Sequence, residues 1–137
     1  MAKDIFHDIV KTVLQQDGWT ITHDPLTLKL SKRNLFIDLG AERIMAAERD
    51  NQKIAIEVKS FVGLSPLTDF YKALGQYQLN ILALKRKMPY RVLYLAMPQE
   101  SYETLMNDDI LAEFLNELSL RYIIFDPKNK QLVQWIN

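Results

Sequence analysis

Residues 34–61 decide the fold, and they read NLFIDLGAERIMAAERDNQKIAIEVKSF. The pattern predicts a strand, an acidic bend and then a β-hairpin. In the second arm of the hairpin, a period of two puts Glu57 and Lys59 on the face opposite Ile56 and Val58. Buried charges are costly unless they are paired or bind a metal ion. A carboxylate and an ammonium in so apolar a strand therefore indicate a metal-dependent phosphodiesterase centre.

The length and composition predict one domain, residues 1–137, with a single core. Hydrophobic residues make up 48% and charged residues 25%, which is typical of a soluble globular protein. The absence of cysteine excludes a disulfide framework, a thiolate metal site and a cysteine nucleophile. The N-terminus MAKDIFHDIV lacks the apolar run of a signal peptide, and no apolar stretch approaches ~18 residues. We expect a cytoplasmic protein that makes no use of the membrane.

The net charge is zero, from 17 basic and 17 acidic residues. A protein that binds nucleic acid on its own usually has a basic surplus. DNA binding by this chain would therefore depend on local basic patches or on a basic partner. One such patch is predicted at Lys29, Lys32 and Arg33, either as phosphate contacts or as ordinary solubilising charge.

The remaining periodicities complete the fold prediction. The order of elements is α-βββ-α-β-α-ββ, an α/β fold with a mixed β-sheet flanked by helices. In the first helix, the stripe that carries Asp4 and His7 either faces solvent or touches the site. Ser65 is the predicted N-cap of the second helix, with Pro66 in its first turn. Helices are predicted at residues 4–16, 65–87 and 101–120, and further strands at residues 19–22, 26–30, 91–97, 122–125 and 131–136.

The acid that accompanies Glu57 has two candidates. A reverse turn at residues 50–51 sets Glu57 roughly opposite Met45, so that Glu42 lies about three residues beyond that point and Asp38 about seven. On a straight ladder Glu42 is therefore nearer to Glu57. A bend or bulge at Gly40 would bring Asp38 back. Both Asp38 and Glu42 remain candidates at this point.

These acids suit a divalent cation. Mg²⁺ or Mn²⁺ is bound through one or two carboxylates with water in the open positions. Asp38 or Glu42 would supply one carboxylate and Glu57 the other, with the Val58 carbonyl as a third oxygen ligand. Two histidines without cysteine do not make a zinc site of ordinary spacing.

Two further side chains are assigned to the reaction. Lys59 would orient or deprotonate the attacking water, or stabilise the charge that develops on phosphorus. Gln76, on the helix that follows, would position Lys59 or contact the scissile phosphate. A surface position for Gln76 is the competing interpretation.

The sequence resembles the XisH family, the fdxN-element excision controlling factors of cyanobacteria. The resemblance covers nearly the whole chain and is carried by the segments KDIFHDIV, DGWTITHDPLTLKL, FIDLGAERIMAAER, IAIEVKSF, DFYKALGQY, RVLYLAMP and VQWI. It implies a restriction-endonuclease-like core similar to the PD-(D/E)XK nuclease superfamily. It also implies DNA as substrate and action beside an XisI-like partner and a site-specific recombinase, with a homo-oligomer left open.

The superfamily motif transfers residue by residue. Its first-strand acid, its E-x-K pair and its helix glutamine fall on Asp38 or Glu42, on Glu57 and Lys59, and on Gln76. Two positions depart from it. Ile37, in place of proline, precedes Asp38, and Asn80 stands where some relatives have tyrosine, so aromatic support of the substrate is not expected there.

Three functional interpretations follow. The first is a metal-dependent endodeoxyribonuclease that acts with a partner. The second is a catalytically silent accessory or regulatory factor for site-specific recombination on the same scaffold. The third is a structural hairpin in which Glu57 only pairs with Lys59 or Arg43.

Overall fold

The elements are seen in a computed structural model that describes residues 3–44, 51–61 and 66–137. The helices are α1 (His7–Gln16), α2 (Pro66–Lys87), α3 (Gln99–Met106) and α4 (Asp109–Leu118). The strands are β1 (Thr20–His23), β2 (Leu26–Lys29), β3 (Asn34–Ile37), β4 (Leu39–Ile44), β5 (Asn51–Val58), β6 (Arg91–Pro98), β7 (Tyr122–Asp126) and β8 (Gln131–Ile136).

Six strands form one mixed sheet in the order β1-β4-β5-β6-β7-β8, and β2 pairs with β3 in a small second sheet. The central strands β5, β6 and β7 are parallel, whereas the outer pairs are antiparallel. Helix α2 connects β5 to β6, and helices α3 and α4 connect β6 to β7, as parallel neighbours require. The predicted α/β fold with a mixed sheet is confirmed.

Strand β5 is buried on both faces. Its residues Ile56 and Val58 pack in the core on the side of α1, together with Val10 and Leu14. Ala55 packs in the other core, which α2 and the β2–β3 sheet cover. The predicted period of two is therefore correct, and Glu57 follows Ala55 onto the α2 side. None of the helices in the described ranges is both long and apolar enough to cross a membrane.

Two predicted elements are divided differently in the structure. The single helix expected at residues 101–120 is two helices, because Asp108 starts a new one: its Oδ1 accepts hydrogen bonds from the N–H groups of Ile110 and Leu111 at 3.1 Å. The bend or bulge expected at Gly40 is also placed differently, because Gly40 pairs regularly with Ala55 and the irregularity opposite it lies in β1, between Ile21 and His23. The chain bends at Asp38, between β3 and β4, and Gly40 lies inside β4.

The predicted hairpin register is wrong. Leu39 pairs with Ile56 and Glu42 pairs with Lys53. Asn51 already belongs to β5, where it pairs with Ile44, and Asp50, the other residue of the predicted turn, lies outside the described residues. The predicted N-cap Ser65 also lies outside them. This register brings Asp38, not Glu42, beside Glu57.

At the far end of the β4–β5 pair, Arg91 ties three strands together. Its side chain is 5% exposed, and its Nη1 donates to the carbonyls of Ile54 at 2.8 Å and Ala41 at 3.3 Å. Gly40 leaves the room for this arrangement, since a Cβ there would lie 3.1 Å from His23 Nδ1 and 3.2 Å from Arg91 Nη1. A Cβ at this position would therefore push His23 and Arg91 away by a few tenths of an ångström.

We expect Gly40→Ala to lower the free energy of unfolding by about 1–3 kcal/mol, because the new methyl group forces the buried Arg91 to move. Gly75→Ala is the matched control in α2, where a Cβ would meet nothing within 4 Å. In dilute solution, Gly75→Ala is expected to raise the free energy of unfolding by up to ~1 kcal/mol, because alanine has a higher helix propensity than glycine. Urea denaturation measures both, and equal effects of the two substitutions would contradict the packing argument.

Candidate functional site

Asp38 stands where the chain passes from the small sheet to the large one. Its Oδ2 accepts a hydrogen bond from the Val58 N–H at 2.7 Å, which ties the junction to the carboxyl end of β5. Because Leu39 pairs with Ile56, the next position along the ladder brings Asp38 opposite Glu57. The two carboxyl groups are close enough to share a hydrogen bond when one of them carries a proton.

Glu57 is 5% exposed, and both of its carboxyl oxygens have partners. The Asn80 amide of α2 donates to Oε1 at 3.3 Å, and the Lys59 Nζ lies 4.0 Å from Oε2. Lys59 itself is only partly buried, so its ammonium lies between the buried acid pair and solvent. One side chain therefore fixes Glu57 from the helix and another borders it toward the cavity.

The backbone that follows Glu57 is held from three sides. The Lys59 N–H donates to the Ala96 carbonyl at 2.9 Å, and the Ser60 N–H donates to Asp4 Oδ2 at 2.8 Å. The Ser101 hydroxyl donates to the Ser60 carbonyl at 2.9 Å. Because these contacts come from a strand and the starts of two helices, the position of Lys59 is set by the whole fold.

Burial raises the pKa values of both acids, and repulsion from Asp38 adds to the effect at Glu57. Burial, and then the charge of Asp38, raise the pKa of Glu57 to about 8, although Lys59 opposes the change. Burial likewise raises the pKa of Asp38, against the Val58 N–H and the Lys59 charge. At neutral pH the pair of acids therefore holds a proton. A divalent cation bound between the two acids would replace this proton and favour the ionised form of both carboxyl groups.

The acid pair opens into a cavity of about 450 Å³, a size typical of ligand sites. Gln76 and Leu79 of α2 form one wall, and Asn34 and Phe36 of β3 form another. The predicted basic residues Lys29, Lys32 and Arg33 are exposed. They come just before Asn34 in the sequence, and Asn34 is part of the cavity wall.

Asp4 lies on the wall of the cavity, which settles one open alternative for the first helix. Helix α1 begins at His7, not at Asp4, and Asp4 Oδ1 accepts the Phe6 N–H at 3.0 Å. Its charge contributes to the raised pKa of Asp38. His7 does not join it in the cavity lining and instead contacts Asp24 through Nε2 at 2.7 Å.

Glu42 lies away from the cavity. Its Oε1 is 3.7 Å from both Lys53 Nζ and Arg91 Nη2, so it belongs to the ion pairs at the far end of the ladder. Of the two candidate acids, the structure brings Asp38 to Glu57 and leaves Glu42 in a structural role. Arg43 is also elsewhere, over the Trp19 ring and bonded to Gln52, so it does not pair with Glu57.

The other predicted residues converge. Val58, Lys59 and Gln76 line the cavity with Asp38 and Glu57. The N–H and C=O of one strand residue point to the same neighbour, so the Val58 carbonyl faces the edge on which Asp38 lies. Gln76 is exposed on α2 and free of the buried core.

Asn80 and Asp4 lie on stripes that the sequence left open as possible contacts of the site, but sequence reasoning assigned neither residue a role there. A signal for Asn80 was present, because it lies four residues after Gln76 and so on the same side of α2. Asp4 comes just before the apolar stripe of the first helix, a position at which Asp often caps a helix. The sequence does not show which side chains face Asn80 and Asp4 in the folded protein.

The donor set favours a hard divalent cation over zinc. Within the described ranges no three histidine, cysteine or acidic side chains converge on one point. Two carboxylates and a backbone carbonyl, with water for the remaining positions, are nevertheless enough for Mg²⁺, which commonly uses one or two carboxylates. Asp38, Glu57 and the Val58 carbonyl fit that requirement.

The fold and the site together define a mixed α/β domain with a buried acid pair at the carboxyl end of a central strand. The sequence matches the family model described as XisH protein over residues 1–133. The chain therefore belongs to the XisH family, as the resemblance predicted.

Two crystal structures are similar to the chain over 98% of its length and 100% of theirs. One is an XisH family protein from Nostoc punctiforme, with 41% identity and a TM-score of 0.87. The other is an fdxN element excision controlling factor protein from Anabaena variabilis, with 41% identity and a TM-score of 0.86. No curated protein matches the chain significantly.

The acid pair predicts a pH dependence of stability that Glu57→Gln removes. Folded Glu57 keeps its proton up to about pH 8, whereas the ordinary pKa is 4.5. The folded state therefore binds more protons than the unfolded state across this window, and stability falls as the pH rises. Without divalent ions, we expect Glu57→Gln to flatten this loss, which is on the order of a few kcal/mol.

Urea denaturation at pH 5 to pH 8.5 measures the difference, with Glu42→Gln as the control that should keep the wild-type slope. Parallel curves for the wild type and Glu57→Gln would show that Glu57 titrates normally.

Proposed function

We propose that the chain is a DNA endonuclease, or the nuclease-like subunit of a complex, that hydrolyses phosphodiester bonds with Mg²⁺ or Mn²⁺ during the excision of a DNA element. The observation that carries this proposal is the convergence of Asp38, Glu57 and Lys59 in one open cavity. Family membership and the name of the Anabaena variabilis relative support the role in excision.

Asp38 and Glu57 would hold the cation, with the Val58 carbonyl as a further ligand. When bound, such a cation neutralises charge on the phosphate and makes a bound water more acidic. The raised pKa values support this assignment, because carboxylates that repel each other in the free protein gain most from a positive charge between them.

The chain's own side chains would do the positioning. Asn80 holds one Glu57 oxygen, so the other is left toward Lys59 and the cavity. Lys59 would orient or deprotonate the attacking water, or stabilise charge on the phosphate oxygens. Gln76 lies exposed on the opposite wall, where it would position Lys59 or contact the phosphate.

DNA binding would rest on local charge and on a partner. The exposed residues Lys29, Lys32 and Arg33 lead into the cavity wall, which supports a phosphate contact there. The net charge of zero supports dependence on another protein, an XisI-like partner and a site-specific recombinase in this proposal.

The alternative is an accessory or regulatory factor that keeps the scaffold without turnover. One observation favours it: with a pKa of about 8, Glu57 is mostly protonated at neutral pH and binds a cation only by losing that proton. The two functions differ in whether the cation, once bound, leads to cleavage.

Cation binding is tested with Mn²⁺ by calorimetry at pH 7.5. We expect binding to the wild type, and its loss in Glu57→Gln and Asp38→Asn because each removes a carboxylate ligand. Asn80→Ala should weaken affinity by about 10–100-fold, since it removes the group that orients Glu57. Glu42→Gln is the matched acidic control and should bind as the wild type does. Equal binding by all four variants would place the ion elsewhere.

Cleavage is tested with supercoiled plasmid and Mg²⁺ or Mn²⁺, with and without an XisI-like partner. Nicking is expected, and it should be lost in Glu57→Ala and Lys59→Ala while their folds stay intact. Lys53→Ala, from the other Glu–Lys ion pair of the same ladder, should retain it. If the protein binds the cation but does not nick the plasmid with either metal ion, with or without the partner, the proposed endonuclease activity is wrong and the accessory role is favoured.

A further inference from the structure

The solvent face of α2 is apolar along its centre. Tyr71 is 61% exposed, Leu79 59% and Leu82 58%, and Leu67 continues the row toward the start of the helix. Their spacing places them on one side of the helix, which we call the α2 stripe. An exposed apolar row of this kind marks a surface that another molecule covers.

Gly75 lies in the middle of the α2 stripe. Glycine disfavours a helix interior, and the chain's own packing does not require it, because a Cβ at this position would meet nothing within 4 Å. Where two helices cross, glycine allows their backbones to approach closely. The position of Gly75 therefore fits a helix that comes from outside the chain.

We propose that the α2 stripe is an interface with a second copy of this chain, whose α2 crosses antiparallel at Gly75. Tyr71 and Leu79 lie four residues on either side of Gly75, and Leu67 and Leu82 lie eight before and seven after it. A twofold interface needs such a self-complementary pattern, in which Tyr71 of each copy meets Leu79 of the other.

The charges of α2 agree with the antiparallel direction. Its first turn carries Asp69, and its last turn carries Lys85, Arg86 and Lys87. An antiparallel pair that crosses at Gly75 leaves Lys85 of one copy about 6 Å along the axis from Asp69 of the other and sets the two helix dipoles in opposition. A parallel pair would instead place like charges together.

The interface borders the acid cavity, because Leu79 lines the cavity as well as the α2 stripe. The second copy would thus place its own Tyr71 at the cavity rim. The pairing does not depend on the proposed nuclease function. One helix face is smaller than the roughly 800 Å² per partner of a standard interface, so a weak, concentration-dependent dimer is expected.

Cysteine cross-linking tests the pairing cleanly, because the chain contains no cysteine. Gly75→Cys should form an oxidised dimer, since a disulfide requires Cα atoms about 4.4–6.8 Å apart. Tyr71→Cys alone should not, because two such positions lie about 12 Å apart along the helix axis. Tyr71→Cys mixed with Leu79→Cys should cross-link.

Phe114→Cys on α4 is the control, at a residue 52% exposed in a second apolar row. Cross-linking of Phe114→Cys or of Tyr71→Cys alone at the rate of Gly75→Cys would overturn the proposal.

Sedimentation equilibrium supplies a measurement that needs no disulfide. Over roughly 1 µM to 1 mM, the wild type should dimerise, and Leu79→Lys should raise the dissociation constant at least about tenfold. A wild type that is monomeric throughout, or a dimer unaffected by Leu79→Lys, would contradict the interface.

Discussion

The burial of Glu57 beside Asp38 is the constraint on which the rest of the site depends. A strand covered on both faces does not keep a carboxylate without compensation. Here the compensation comes from the Asn80 amide, from Lys59 and from a proton shared within the acid pair. The carboxyl ends of parallel strands are where α/β proteins commonly bind ligands, and Glu57 lies at the end of β5. The surrounding elements are arranged to hold these groups together in an open cavity.

The β4–β5 ladder carries two glutamates with opposite consequences. Glu42 is partly exposed and lies near the basic side chains of Lys53 and Arg91, with which it forms structural ion pairs. Glu57 is buried, has another acid as its neighbour, and has one ammonium at 4.0 Å. Structural ion pairs favour the ionised form, whereas a pair of buried acids resists it. This difference in environment, and not the residue type, distinguishes the candidate ligand from the scaffold acid.

Sequence periodicity predicted the faces of the strands but not their alignment. It placed Glu57 and Lys59 on one side of β5 and Gln76 on α2, as the structure does. Asp38 and Glu42 differ by four residues, so both point to the same face of a strand, and a period of two does not separate them. The register depends on where the chain reverses between β4 and β5, which the pattern does not reveal. The helix break at Asp108 was missed for a similar reason, because the apolar spacing continues across it.

The most direct test of the acid pair is the titration of the Glu57 carboxyl carbon by NMR, with and without Mg²⁺. If the acid pair binds the cation, the pKa of Glu57 is about 8 in the free protein and well below neutrality when Mg²⁺ is present. An ordinary pKa near 4.5 in the free protein, or a titration that Mg²⁺ leaves unchanged, would contradict this prediction.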